Sequence, residues 1–546
     1  MTAATPTLPG QSGTDLRRGD AGAAVTRLAT RLIRRSALIV LAVSAAMTAV
    51  VVATYEGLMT DPGTTAALGA LAGNPAIRTL FGEPLALDDP GGFTVWRTGT
   101  VVAVLLGVWS ILATTRVTRG EEDAGRWDLL LAGRLSLRSV VVRHVGVLAV
   151  AGLLVGAAVG AALAVSGTGI AGAVVHATGI AVLGLFFVGA GALSAQVFSA
   201  RSAATGAAVA VLGLMLLARM VGDGVTALGW LRWVSPFGLL EISGPYARNR
   251  WLPLGVLAVA AAVLLIGTVA AATRRDVRGG IIAAAAGRPP RTRLLGSVEA
   301  FAVRRLLRPL SGWSASLGAY FLLIGLIAVT MTEFLAENPV FADAAGQAGF
   351  ASLASVEGYA ATLFALLAVP VGVFAADRMS ACAAAEADRR LTLLAAQPLH
   401  RFRLIGAEIL AVGGGLAVLV TVAGLATWLG VAVTGGSLRP AAALAGTWNA
   451  LPVALLCLGA GVLAVGWLPR AVGAVGTLPA VGGFLLQVVA ESARAPRWVI
   501  DMSPFAHLAP VPFSPPDVLA TAIMTGIALA LGAVGMIGYR RRDLRG

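Results

Sequence analysis

Twelve stretches of this chain are long and apolar enough to cross a lipid bilayer, and no other feature narrows its fold as far. They run at about 37–55, 95–114, 145–166, 172–197, 203–220 and 253–273, then at about 314–332, 358–376, 404–427, 442–467, 470–490 and 516–539. A membrane-spanning helix needs roughly 20 mostly apolar residues. In lipid the backbone polar groups must pair within the segment, which selects helices. The runs 442–467 and 470–490 have the least clear break, and the fourth and fifth runs are split only at Arg201. Composition agrees: 12% of the residues are charged, against about 25% in soluble domains, and the mean hydropathy is +0.84. The expectation is an all-α polytopic membrane protein of about 12 transmembrane helices.

Charge gives the orientation. Arg17, Arg18, Arg27, Arg31, Arg34 and Arg35 precede the first helix against Asp15 and Asp20, whereas loop 56–94 has only Arg78 against Glu56, Asp61, Glu83, Asp88 and Asp89. Segment 274–313 carries nine Arg against Asp276 and Glu299; loop 333–357 carries no Arg but Glu333, Glu337, Asp343 and Glu357. Arginine gathers in cytoplasmic loops, so both termini and the 274–313 linker are expected in the cytoplasm, with the protein in the cell membrane. The net charge of +14 is all arginine, with no lysine anywhere. It flanks apolar runs and forms no basic stripe interleaved with aromatics, which argues against nucleic-acid binding. Cys382 and Cys457 suggest neither a disulfide nor a metal site. The polar residues 1–20 read as a disordered N-terminus without a signal peptide.

The chain also repeats itself. Thr273-Arg274-Arg275-Asp276-Val277-Arg278-Gly279 returns as Arg540-Arg541-Arg542-Asp543-Leu544-Arg545-Gly546. Arg232-Trp233-Val234-Ser235-Pro236-Phe237 returns as Arg497-Trp498-Val499 and Ser503-Pro504-Phe505, with three residues inserted. Leu130-Leu131-Ala132-Gly133 matches Leu393-Leu394-Ala395-Ala396, and Arg31-Leu32-Ile33-Arg34 matches Arg305-Leu306-Leu307-Arg308. Four collinear matches predict a duplication: a first six-helix half over 21–280, a cytoplasmic linker and second connecting helix over 281–313, and a second six-helix half over 314–546. An even helix number makes the repeats parallel, related by a pseudo-twofold axis along the membrane normal.

The segment after the second helix, Arg119-Gly120-Glu121-Glu122-Asp123-Ala124-Gly125-Arg126-Trp127-Asp128-Leu129-Leu130-Leu131-Ala132, is densely charged and then abruptly apolar. Three acids suit a helix N-terminus, where the macrodipole favours negative charge. The leucines could seat a short helix on another surface, although a solvated loop reads similarly. This segment resembles the coupling-helix region of type-2 ABC exporter permeases, an R-x-E-E-x-G-R-x-[DE]-L-L-L pattern between the second and third membrane helices. Length and duplication resemble the actinobacterial antibiotic- and multidrug-exporter branch, including tetronasin-resistance-type permeases.

The resemblance implies ATPase coupling through Arg119, Glu121, Glu122, Asp123, Gly125, Arg126, Trp127 and Asp128. In the second half it implies coupling through Glu386, Asp388, Arg389 and Arg390. The second copy lacks the Glu-Glu pair and the Gly-Arg step, so two unequal ATPase contacts are expected, the first stronger. Residues 21–35 are amphipathic, with Arg27, Arg31 and Arg34 on one helical face and Val25, Leu28 and Leu32 opposite; the resemblance implies a connecting helix there and a second marked by Arg304, Arg305 and Arg308, while a plain membrane-surface anchor stays open. Before the last helix of each half it implies an external gate at Trp233, Ser235, Pro236 and Phe237 and at Trp498, Ser503, Pro504 and Phe505; passive interfacial packing of these low-charge, aromatic segments stays open.

No cofactor is expected in the chain itself. A phosphate-binding P-loop needs Lys, so ATP and Mg2+ belong to a partner, two copies of a separate ABC ATPase subunit. The implied function is export of hydrophobic or amphipathic small molecules (antibiotic, drug or lipid) by alternating access, in contact with membrane lipids. A proton-coupled secondary multidrug transporter is the alternative, although the helix centres hold almost no ionisable groups of the kind such machines use. A membrane scaffold stays open too; a membrane enzyme lacks a clustered catalytic set. Within the spans, His176, Gln196, Asn449 and Gln487 are expected to make interhelical hydrogen bonds. Arg143 and His144 are expected to snorkel at an entrance edge, and Glu408 to pair with Arg401 or Arg403.

Overall fold

The structure is a computed structural model describing residues 18–59, 78–79, 82–224, 226–282, 293–337, 355–387, 400–492 and 495–542. It divides into two compact units, Met1–Arg288 and Pro289–Gly546. Among the described residues, eleven helices are long and apolar enough to span a membrane, and the apolar stretch Val472–Gln487 is shorter.

In the first unit the six spans are α1 (Arg18–Met59), α2 (Pro90–Thr115), α3 (Leu137–Val165), α4 (Ile170–Val197), α5 (Arg201–Gly224) and α6 (Leu252–Ala272). The anticipated order holds, but α1 is one continuous rod of 42 residues. The arginine-rich stretch at its start contains no Gly or Pro between Ala23 and Glu56, so nothing breaks the ladder where charge gives way to apolar side chains. Local chemistry starts α2: Pro90 sits in its first turn, and Asp89 Oδ1 accepts from the amides of Gly91 (2.7 Å) and Gly92 (3.0 Å). Ser136 caps α3 in the same manner through the Ser139 amide, 3.3 Å away. The core runs along the middle of the unit through Leu106, Leu148, Val155, Leu183 and Phe187, all sealed from solvent. Helices approach closely where side chains are smallest: a Cβ on Gly156 of α3 would lie 2.6 Å from the Ala177 carbonyl of α4, the small-residue packing that lipid-embedded helices use.

The second unit repeats the order with α7 (Val298–Glu337), α8 (Val356–Ala387), α9 (Arg401–Val433), α10 (Pro440–Trp467), α11 and α12 (Val518–Arg541). Helix α7 runs 40 residues straight through Pro309, so the second connecting helix and the following span, expected to part near residue 313, are one element. Helix α11 is the irregular one. It comprises Val472–Thr477, a π turn at Leu478–Gly482 and Gly483–Ser492; Pro479, which lacks an amide proton, falls at the start of that wider turn.

Candidate functional site: the ionic hub where the second span ends

Helix α2 runs on through a π turn, Arg116–Gly120, into Glu121–Asp123. The chain reverses at Gly125, whose φ of +72° is a conformation that side chains disfavour. A short helix, Arg126–Leu131, follows. The wider π turn re-aims the side chains it carries, and it turns Arg119 and Glu122 inward, both 0% exposed.

Glu122 is the centre of a buried ionic hub. Arg275, just beyond α6, grips its carboxylate with both terminal nitrogens: Nη1 to Oε1 at 2.6 Å and Nη2 to Oε2 at 2.7 Å. The Arg278 amide donates to the same Oε1 at 2.7 Å, and Arg119 Nη1 donates to Oε2 at 3.1 Å. Arg119 also donates to the carbonyls of Gly279 (2.8 Å) and Arg278 (3.0 Å), while Arg275 Nε donates to Gln196 Oε1 on α4 at 2.8 Å. The amides of Ile281 and Ile282 then donate to the carbonyls of Gln196 and Val197. The chain leaving α6 is thereby strapped across the ends of α2 and α4. Asp123 Oδ2 accepts from the Arg201 amide (2.9 Å), starting α5, and Arg116 donates to the Leu32 carbonyl of α1 (3.0 Å). Elements from five spans meet here.

The other side of the turn faces out. Asp123, Ala124, Arg126, Asp128, Ala132, Gly133 and Arg134 are exposed, and Leu129 is 81% exposed at their centre. Glu121 accepts a two-point bond from Arg126 at 2.5 and 2.7 Å, which holds that guanidinium even more firmly protonated than usual. Arg278 pairs with Asp128.

Several expectations change. Trp127 is a buried anchor, 1% exposed and 5.4 Å from the His144 ring; it seats the short helix on α3 of its own unit. His144 does not snorkel: it is 1% exposed, and its Nδ1 lies 2.9 Å from the Val140 carbonyl. Arg27, Arg31 and Arg34 are exposed, but the buried stripe of α1 is Val25, Ala29 and Ile33, with Leu28 open to the surface. Gln196 bonds an arginine from beyond α6, and Asn449 donates to the Ala509 carbonyl at 2.9 Å.

In the second unit Glu386 ends α8 and pairs with Arg542, which follows α12. Asp388, Arg389 and Arg390, with the Leu393–Ala396 repeat, lie outside the described residues. Glu408 pairs with Arg305 of α7 at 2.8 Å, not with Arg401 or Arg403; Arg401 donates to the Arg542 carbonyl (2.7 Å), and Arg403 pairs with Glu299 (2.7 Å). Arg304 donates to the Arg293 carbonyl at 3.1 Å and Arg308 is exposed.

The two Ser-Pro-Phe segments share one device. Ser235 is buried, donates to the Met215 carbonyl of α5 (2.6 Å) and caps helix Pro236–Ile242 through the Gly238 amide (3.3 Å). Ser503 donates to the Gly483 carbonyl of α11 (2.9 Å) and caps Pro504–His507 through the Phe505 amide (3.1 Å). Each serine reaches back 20 residues. Phe237 packs on Phe187 (5.6 Å) and Phe505 on Phe484 (5.7 Å), while Trp233 and Trp498 stand exposed.

The first of these segments is not poor in charge. Arg219 of α5 contacts Asp223 (2.6 Å) and Glu241 (2.9 Å), Arg232 contacts Glu83 (3.3 Å), and Glu241 accepts from the Glu83 amide (2.5 Å). These charges flank a cavity of about 60 Å³ lined also by Trp96, His176, Phe237 and Leu240. Sequence reading missed this cluster. Its signal was the i, i+4 pair Arg219 and Asp223, at the end of an apolar helix where an unpaired charge would be costly.

The family model described as "Multidrug efflux system permease Rv1217c, C-terminal domain" matches residues 23–272 and 295–540. The multidrug efflux system permease protein Rv1217c of Mycobacterium tuberculosis (strain ATCC 25618 / H37Rv) is 28% identical over 522 residues, covering 93% of this chain and 92% of that protein.

Proposed function

The chain belongs to the family of the multidrug efflux system permease Rv1217c, C-terminal domain, and we propose that it is the membrane subunit of an ATP-driven drug exporter whose ATPase is a separate protein. The expected type-2 exporter permease identity stands. One observation carries the energetic part of the proposal: an exposed face around Leu129, Arg126 and Asp128 is backed by the buried Glu122 hub. A push on that face reaches α4 and the chain leaving α6 through the buried hub, and α1 and α5 through Arg116 and Asp123 at its rim. Residues 119–128, with Leu129 beside them, are the coupling residues, in two kinds. Asp123, Arg126, Asp128 and Leu129 touch the ATPase, whereas Arg119, Glu122 and Trp127 brace the contact from inside.

In this reading both termini are cytoplasmic, ATP and Mg2+ reside in two copies of the partner, and the Ser-Pro-Phe segments with Trp233 and Trp498 gate the outer side during alternating access. The cargo is hydrophobic or amphipathic, the chemistry that an apolar membrane cavity accepts. The test is dye export by inverted vesicles containing this chain with and without a co-expressed ABC ATPase partner. Export should require both proteins and ATP.

The buried charges around Asp223 and Glu241 are the one observation favouring proton coupling instead, because ionisable groups near a membrane cavity mark proton routes. Export driven by a pH gradient alone would establish that alternative and overturn ours.

A further inference from the structure

We infer that Glu122–Arg275 and Glu386–Arg542 are one clamp built twice, positioning pairs by which each unit's second span grips the chain that leaves its sixth. Arg275 and Arg542 hold the same place in the duplicated Arg-Arg-Asp-x-Arg-Gly segment. Each reaches a carboxylate where the second span ends, 153 residues away in the first unit and 156 in the second. The short repeat after each sixth span, legible at first as a mark of duplication, thus supplies an arginine with a specific receptor in its own unit.

A buried ion pair is a poor way to gain stability, because desolvation offsets most of the attraction; its better use is to specify one arrangement over others. The arrangement specified here is the register between α2 and the strap after α6. That strap is held in turn by the Gln196 side chain and by two carbonyls on α4, those of Gln196 and Val197. Resting on the ATP-driven reading, the clamp carries a displacement of the α2 end to the α6 end as one body, where an unclamped loop would absorb it.

The experiment uses the full chain co-expressed with its ATPase, and ATP-dependent uptake of rhodamine 6G into inverted vesicles as the readout. Glu122→Gln should lower uptake at least tenfold, leave the ATPase co-purifying at the wild-type level, and speed amide exchange over residues 276–282 by about tenfold. The apolar pair Glu122→Leu with Arg275→Met should recover the unfolding midpoint without recovering uptake. Should Glu122→Gln fail to reach the membrane, Glu386→Gln at the partly exposed second clamp is measured in its place. Uptake within twofold of wild type in the glutamine variant would overturn the clamp, as would an apolar pair that restores uptake together with the midpoint. Wild-type uptake that needs no ATPase would sink the ATP-driven reading instead, and the exchange measurement would still decide the clamp.

Discussion

The ion pairs Glu122–Arg275 and Glu386–Arg542 stand at the same place in the two units and differ in how deeply they are buried. In the first unit Glu122 is 0% and Arg275 2% exposed, with Arg119 as a second buried guanidinium; in the second unit Glu386 is 14% and Arg542 20% exposed. Arg119 has no counterpart two to four residues before Glu386, where Cys382, Ala383 and Ala384 stand. The first hub therefore ties down the strap carbonyls as well as the carboxylate, whereas among the described residues the second adds the bond from Arg401 to the Arg542 carbonyl. A duplicated chain can keep one clamp geometry while letting one copy become the stiffer transmitter.

The sharpest way to break this comparison is to remove the carboxylates. Stranding a buried charge costs about 3–5 kcal/mol, so Glu122→Leu, which takes the carboxylate from Arg275 and leaves Asp123 as the carboxylate beside Arg119, should lower the unfolding midpoint severely. Glu386→Leu should fall between that and the 0–1 kcal/mol or so of a solvated pair. Thermal unfolding in detergent followed by size-exclusion chromatography reads both; equal losses would show that burial does not separate the two ends.

The next contrast concerns the Ser-Pro-Phe segments. A Cβ on Gly238 would lie 2.3 Å from the Arg232 carbonyl, and that backbone atom cannot swing aside. Gly238→Ala should cost about 1–3 kcal/mol as an overpacked site. The second copy already has Ala506 at the matching place, within a looser 3-10 turn, so Ala506→Gly should change stability by less than about 1 kcal/mol. If Gly238→Ala unfolds at the wild-type temperature, the tight fit of the first segment is not a constraint. Smaller still is the loss of each capping hydroxyl. Ser235→Ala and Ser503→Ala should each cost about 1 kcal/mol, and a similar amount, because each hydroxyl donates to a carbonyl 20 residues back and accepts from an amide just ahead. A twofold difference in the shift would show that the inserted residues before Ser503 alter its role.

What could be read from the chain beforehand was whatever depends on neighbours in sequence. The order of apolar spans, the short helix Arg126–Leu131 and the repeated Ser-Pro-Phe punctuation all follow from local periodicity and turn chemistry. The partners of charges were not legible. Arg275 finds Glu122 across 153 residues, and an arginine beside a span reads as topology whether or not it holds a buried carboxylate. Glu408 shows the same limit. Arg401 and Arg403 were the neighbours along its own helix, but the partner came from α7. Helix continuity failed for a different reason: amphipathic and fully apolar stretches were expected to part where their patterns meet, yet a change of pattern breaks no hydrogen bond.

The smallest structural effect separates bracing from contact. Leu129 is 81% exposed at the tip of the short helix, and substitutions at such surface positions usually shift stability by no more than about 0.5 kcal/mol. Leu129→Asp should therefore fold, insert and unfold like the wild type. If the exposed face is where the ATPase sits, a carboxylate at its apolar centre must be buried without a partner when the two proteins meet, a cost of several kcal/mol in that interface alone. Co-purification of the ATPase should fall at least tenfold while Glu122→Gln leaves it intact, so the two variants fail at successive steps: one never engages, the other engages and does not transmit. ATPase retained at wild-type levels by Leu129→Asp would move the docking surface away from the first unit. The burial difference between the two ends would then mark a structural prop, not the main point of drive.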